Sequence, residues 1–146
     1  GFVIKGELRD IPVVHFLLRR SGSKFVERKL ASGSARDARS LVKAARGGES
    51  LGFFPEGTFR LEPGVARFRP GAFVAAIKGD MPVVPIAIKG TRRMLPSGQW
   101  LPRPNELIIE ILTPIGPQDE AFHGHRELAE AARQEILAAL GEPDLA

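Results

Sequence analysis

Ser50-Leu51-Gly52-Phe53-Phe54-Pro55-Glu56-Gly57-Thr58 is the stretch on which the fold turns. A compact apolar run, Ser50 to Phe54, reads as a strand and stops at a proline, which cannot extend a hydrogen-bonded ladder. A carboxylate, a glycine and a hydroxyl follow directly. In open α/β sheets the C-terminal edge of a strand is where ligands bind. Gly57 can adopt positive φ and lets a ligand approach the backbone. Its N–H and the Thr58 hydroxyl are suited to donate to phosphate oxygens. The same pattern also suits a plain strand-to-loop turn in which Glu56 accepts local backbone N–H bonds, and the pattern by itself leaves both readings open.

Working outward, strands and helices alternate. Phe2 to Leu8 reads as a strand, Ile11 to Arg20 as a short amphipathic helix, and Lys24 to Glu27 as a second strand. Ser34 to Asp37 resembles a capping box opening a helix through Ala45, which Gly47-Gly48 stops. Downstream, Pro70 to Lys78 reads as a helix with proline at its start. Val83 to Ile88 is a β-branched run suited to a buried strand, Thr91 to Asn105 a long loop rich in Pro and Arg, and Glu106 to Leu112 a further strand. His125 to Leu140, rich in Ala and Leu, is the last helix. The alternation predicts an α/β fold, a mostly parallel mixed sheet flanked by helices, within a single domain over residues 1–146.

Composition narrows the function. The 146 residues are 43% hydrophobic and 26% charged, which suits a folded domain and excludes disordered or collagen-like classes. The net charge of +4 fits an anionic ligand or membrane surface. A nucleic-acid partner is disfavoured, because the basic residues are not interleaved with aromatics and no nucleic-acid motif occurs. The absence of cysteine excludes disulfides, thiol catalysis and thiolate metal sites. No apolar run reaches the ~18 residues of a membrane span. His123-Gly124-His125 makes a weak metal case, and no metal or other cofactor is expected. Arg92, Arg93 and Arg103 either meet head groups or coenzyme phosphates or lie on a solvated loop, and Trp100 gives that loop an apolar tip.

Phe54-Pro55-Glu56-Gly57-Thr58 resembles the third sequence motif of the glycerophospholipid acyltransferases, the 1-acylglycerol-3-phosphate acyltransferase-like family. Other segments resemble further parts of that pattern, in order. Val3 to Leu8 and Ile11-Pro12 are similar to the lead-in of the second motif, and Gly22 to Arg28 to the second motif itself. Phe68 to Phe73 resembles the basic-Gly-Ala segment after the third motif, and Met81 to Ile86 the fourth. The likeness covers roughly residues 2–91. Phe59 stands where the family often has arginine, with Arg60 next. The family's His-x4-Asp pair is expected upstream of Gly1. Five positions beyond His15 stands Arg20, so no such pair begins there.

The resemblance implies transfer of a fatty acyl group from acyl-CoA or acyl-carrier protein to the free hydroxyl of a lysophosphatidate-like acceptor. The family's His acts as general base on that hydroxyl and its Asp orients the His. With both expected outside this chain, the chain alone is expected to be inactive, since loss of a general base costs roughly 10²–10⁴ in rate. The residues that match the family's acceptor site are Arg28, Glu56, Gly57, Thr58 and Arg69. Arg28 and Arg69 are the phosphate candidates, because a guanidinium fork pairs with two phosphate oxygens at once. Glu56 is expected to hold an acceptor hydroxyl or an arginine. The implied location is cytoplasmic, peripheral to the inner face of the membrane. The alternative is a non-catalytic module that binds lipid phosphates or acyl-CoA.

Overall fold

The computed structural model describes residues 3–5, 24–26, 39, 41–44, 46–57, 62–96 and 101–146. Two compact units divide the chain: Gly1–Pro55 with Pro70–Met81, and Glu56–Arg69 with Pro82–Ala146. Neither is one continuous stretch.

The first unit holds strands β1, Val3–Lys5, and β2, Lys24–Val26, which pair in parallel with Val3 opposite Lys24 and Lys5 opposite Val26. A parallel pair needs a crossover of about a dozen residues or more, and segment 6–23 supplies that length. Residues 41–44 are helical and bury Leu41 and Ala44. The expected strand at 50–54 reduces, among the described residues, to a single bridge at Gly52. The expected helix at Ile11–Arg20 and the capping box at Ser34 lie outside the described residues.

Helix α1, Gly71–Gly79, begins where expected. Pro70 caps it at φ −71°, a value its ring imposes, and the Pro70 carbonyl takes the Val74 N–H at 2.9 Å. Asp80 ends it in the left-handed region at φ 53°. The Asp80 N–H then reaches the Ile77 carbonyl (3.2 Å) and the Met81 N–H reaches Ala76 (3.0 Å), so two carbonyls of the last turn gain donors. Arg46 Nε serves a third terminal carbonyl, Lys78 O, at 3.0 Å. The helix buries Phe73 and Ala75.

The second unit is built on an antiparallel pair, β3 (Ile86–Lys89) and β4 (Ile108–Ile111), with Ile86 opposite Ile111 and Ile88 opposite Ile109. Reciprocal bonds between Val83 and Ile115 (2.9 and 2.8 Å) extend the pairing. The described residues thus carry one parallel and one antiparallel two-stranded sheet, where the alternation of elements predicts a mostly parallel mixed sheet. The link between β3 and β4 explains the difference. It turns back within the stretch expected to be loop, through the short helix α2, Thr91–Met94, and is tied off by Asn105 Nδ2 on the Gly90 and Glu106 carbonyls, both at 2.9 Å.

Helix α3, His125–Leu140, has the limits the sequence predicts. Its buried positions Leu128, Ala129, Ala132 and Arg133 recur at helical spacing, and Gly141 at φ 63° stops it. A 3-10 turn, Glu120–His123, precedes α3 and buries Phe122. Helix α3 lies against β3, where Ala87 is wholly buried. Because one face of this sheet is covered, Val83–Ile88 is not a buried strand throughout. Pro85 and Ala87 point inward, while Val84, Ile86 and Ile88 are exposed with Ile109 and Ile111. No helix among the described residues is long and apolar enough to cross a membrane.

Candidate functional site

Pro55 and Glu56 form a turn, and Gly57 leaves it at φ 72°, the conformation that favours glycine. The chain comes back ten residues later. Glu56 Oε2 accepts the Ala66 N–H at 3.1 Å, and the Glu56 carbonyl accepts Arg69 Nε at 3.4 Å. One residue therefore holds the returning segment at two points, its side chain at Ala66 and its backbone carbonyl at Arg69. Of the two readings open for Glu56, the backbone acceptor is present here. Arg69 meets the Glu56 carbonyl, not its carboxylate. That bond uses one of the five donors of a guanidinium.

Residues 66–69 alternate in burial. Ala66 and Phe68 are buried, and Arg67 and Arg69 are exposed. In extended chain successive side chains point to opposite sides, so the two arginines share the outward side. Arg67 was not among the sequence candidates. The signal was the two-residue period of Ala66-Arg67-Phe68-Arg69. An exposed pair of guanidiniums beside a glycine turn suits an anionic group such as a phosphate.

Val65 is held on both edges by the C-terminal tail. Its N–H donates to Pro143 O (3.0 Å) and its carbonyl accepts the Leu145 N–H (3.1 Å). The Gly64 N–H reaches Glu142 Oε2 at 2.9 Å. Glu142 also pairs with Arg92 at 3.5 Å, so Arg92 is tied to the tail. Arg28 and Thr58 lie outside the described residues, as do His15, Trp100 and the segment that follows Thr58 through residue 61. His123 closes the 3-10 turn and His125 opens α3.

Residues 1–89 match the family model described as Acyltransferase, nearly the span over which the ordered motifs run. The chain belongs to the acyltransferase family. It is 30% identical over 140 residues to a 1-acyl-sn-glycerol-3-phosphate acyltransferase of Chlamydomonas reinhardtii, covering 95% of this chain and 41% of that protein. To the Haemophilus influenzae protein of the same name it is 28% identical, covering 86% of this chain and 52% of the relative. The crystal structure of the 1-acyl-sn-glycerophosphate acyltransferase PlsC from Thermotoga maritima superposes with a TM-score of 0.77 at 28% identity, over 95% of this chain and 54% of that one. The chain thus shares an acyltransferase fold and spans about half the length of the relatives it matches.

Proposed function

We propose that the chain forms the acceptor-holding part of an enzyme that moves a fatty acyl group from acyl-CoA or acyl-carrier protein onto the free hydroxyl of a lysophosphatidate-like glycerophospholipid. Membership of the acyltransferase family and the names of its relatives support the reaction class. The observation that carries the reading is the Glu56 loop: a motif glutamate whose carboxylate is fixed by Ala66 N–H, next to a positive-φ glycine and two exposed arginines.

In this proposal Arg69, with Arg67 beside it and Arg28 from the second motif, takes the acceptor's phosphate. Gly57 N–H and Thr58 supply neutral donors. Glu56, held by Ala66 through one oxygen, offers its second carboxylate oxygen to an acceptor hydroxyl. The reaction needs a base to remove the acceptor hydroxyl's proton, and the family's His-Asp pair, expected upstream of Gly1, fills that role. The acceptor oxygen bonds to the thioester carbonyl carbon, the C–S bond breaks, and the thiolate takes up a proton. The molecule acts as a single domain at the inner, cytoplasmic membrane face, where the lipid acceptor meets it. The lipid chemistry and the excess of Lys and Arg support that location.

The test is thiol release from acyl-CoA by the full natural protein, with and without lysophosphatidate. Release that depends on the acceptor supports the reading. A protein that gains thermal stability with lysophosphatidate or acyl-CoA yet releases no thiol is the non-catalytic binding module instead.

A further inference from the structure

Helix α3 carries a buried arginine that the reaction proposed above leaves unused. Arg133 is 2% exposed. A guanidinium taken out of water must be paired, and its partner is Asp144 in the tail. Nη2 reaches both carboxylate oxygens at 2.8 Å and Nη1 reaches Oδ1 at 2.9 Å. Nε adds Glu130 Oε2 at 3.2 Å.

Asp144 stands between the two tail residues that grip Val65. Pro143 O takes the Val65 N–H, and the Leu145 N–H gives to the Val65 carbonyl. Arg133 Nη1 approaches that carbonyl directly, but at 3.5 Å this contact is the weaker one. The short bonds to Asp144 therefore dominate, and they set the tail against Val65. The Val65 carbonyl and the Ala66 N–H belong to one peptide plane. That plane is fixed on its carbonyl side by the tail and presents its N–H to Glu56 Oε2 at 3.1 Å. A carbonyl that accepts a hydrogen bond also polarises its own peptide, making the N–H a better donor.

We propose that the Arg133–Asp144 pair positions the Glu56 carboxylate, acting through the Val65–Ala66 peptide, and so sets affinity for the acceptor. The claim about affinity rests on the functional reading above; the claim about position does not. Both are tested in the full natural protein with Asp144→Asn, which keeps shape and one acceptor oxygen, and with Asp144→Glu, which restores the charge. Deuterium exchange of segment 62–68 reads the position of the Ala66 amide. Steady-state kinetics read the acceptor and the donor separately.

Asp144→Asn is expected to speed exchange in 62–68 and to raise KM for lysophosphatidate about tenfold, the equivalent of losing one charge-assisted bond. KM for acyl-CoA stays unchanged, the melting temperature falls by only a few degrees, and Asp144→Glu recovers both exchange and KM. A merely structural pair would lower stability and the active fraction while leaving the acceptor KM alone, and that result overturns the proposal. Unchanged exchange in Asp144→Asn overturns it as well. Should the unsubstituted protein transfer no acyl group to lysophosphatidate, the functional reading fails on its own, and exchange in Asp144→Asn against Asp144→Glu still decides the positioning claim.

Discussion

Arg133 and Asp144 lie eleven residues apart and form a two-pronged ion pair that fastens the C-terminal tail to the last helix. The arginine is shielded and the carboxylate is not: their side chains are 3% and 46% exposed. The pair is therefore asymmetric. Loss of Asp144 strands a buried cation, whereas loss of Arg133 frees a carboxylate that water can reach.

Asp144→Ala is expected to cost about 1.5–3 kcal/mol of stability, the range for a hydrogen bond to a charged group, with solvent access favouring the lower end. Equilibrium urea unfolding of the two proteins measures it. Arg133→Met, which fills the site with an apolar chain, is expected to cost less, because no buried charge is left behind.

Gly64 sits at φ 136°, and a Cβ placed there would lie 2.6 Å from Leu145 Cγ and 2.7 Å from the Pro143 carbonyl. The obstruction is partly backbone, so a side-chain shift does not relieve it. Gly64→Ala is expected to lift the tail and destabilise the protein by about 1–3 kcal/mol. Faster proteolysis of residues 142–146 in the variant would accompany the loss; unchanged unfolding would count against tail docking at this position.

Arg69→Ala and Arg67→Ala separate the two exposed guanidiniums. Removing Arg69 is expected to weaken lysophosphatidate binding about tenfold or more, the loss of one charge-assisted phosphate contact. Arg67→Ala should weaken it less, since among the described residues no bond fixes Arg67 to the Glu56 loop. Calorimetric titration with lysophosphatidate and with a phosphate-free monoacylglycerol reads both, and equal losses for the two lipids would remove the arginines from the phosphate site.

Glu130 titrates below its ordinary value of 4.5. The hydrogen bond from Gln134 is the largest cause, with the Arg133 bond and charge acting the same way and burial opposing them. A carboxyl whose folded pKa is depressed stabilises the fold above its unfolded pKa, and that contribution disappears as pH falls through the folded value. Resistance to thermal unfolding is thus expected to fall as pH drops below 4.5, and Glu130→Gln should flatten part of that acid limb. The side chain is 54% exposed, so the effect is small.

Phe73→Ala, in the middle of α1 and 3% exposed, is expected to cost about 3–5 kcal/mol through lost burial and an unfilled cavity. Chemical unfolding checks it.

Local chemistry made much of this protein readable. Proline dictates φ, so Pro70 marks the start of α1 and Pro55 the end of the apolar run. Glycine alone takes positive φ cheaply, so Gly57 and Gly141 mark a turn and a helix stop. The apolar stripe of α3 follows a period set by the helix itself. The motif order from Val3 to Ile86 is likewise a property of the chain read in line, and the family follows from it without the fold.

Other features depend on segments that meet only after folding. Gly64 and Glu142 are 78 positions apart, and nothing in either one's neighbours specifies the other. The sense of the β3–β4 pair depends on how the connecting chain turns back, and the exposure of Ile109 depends on which face of that pair α3 covers. That Glu56 would accept from Ala66, and that Arg133 would be buried against Asp144, follows from the same cause. Turn and helix signals act through covalent constraints within a few residues, whereas a hydrogen-bond partner is chosen by proximity in space, which only the packed chain supplies.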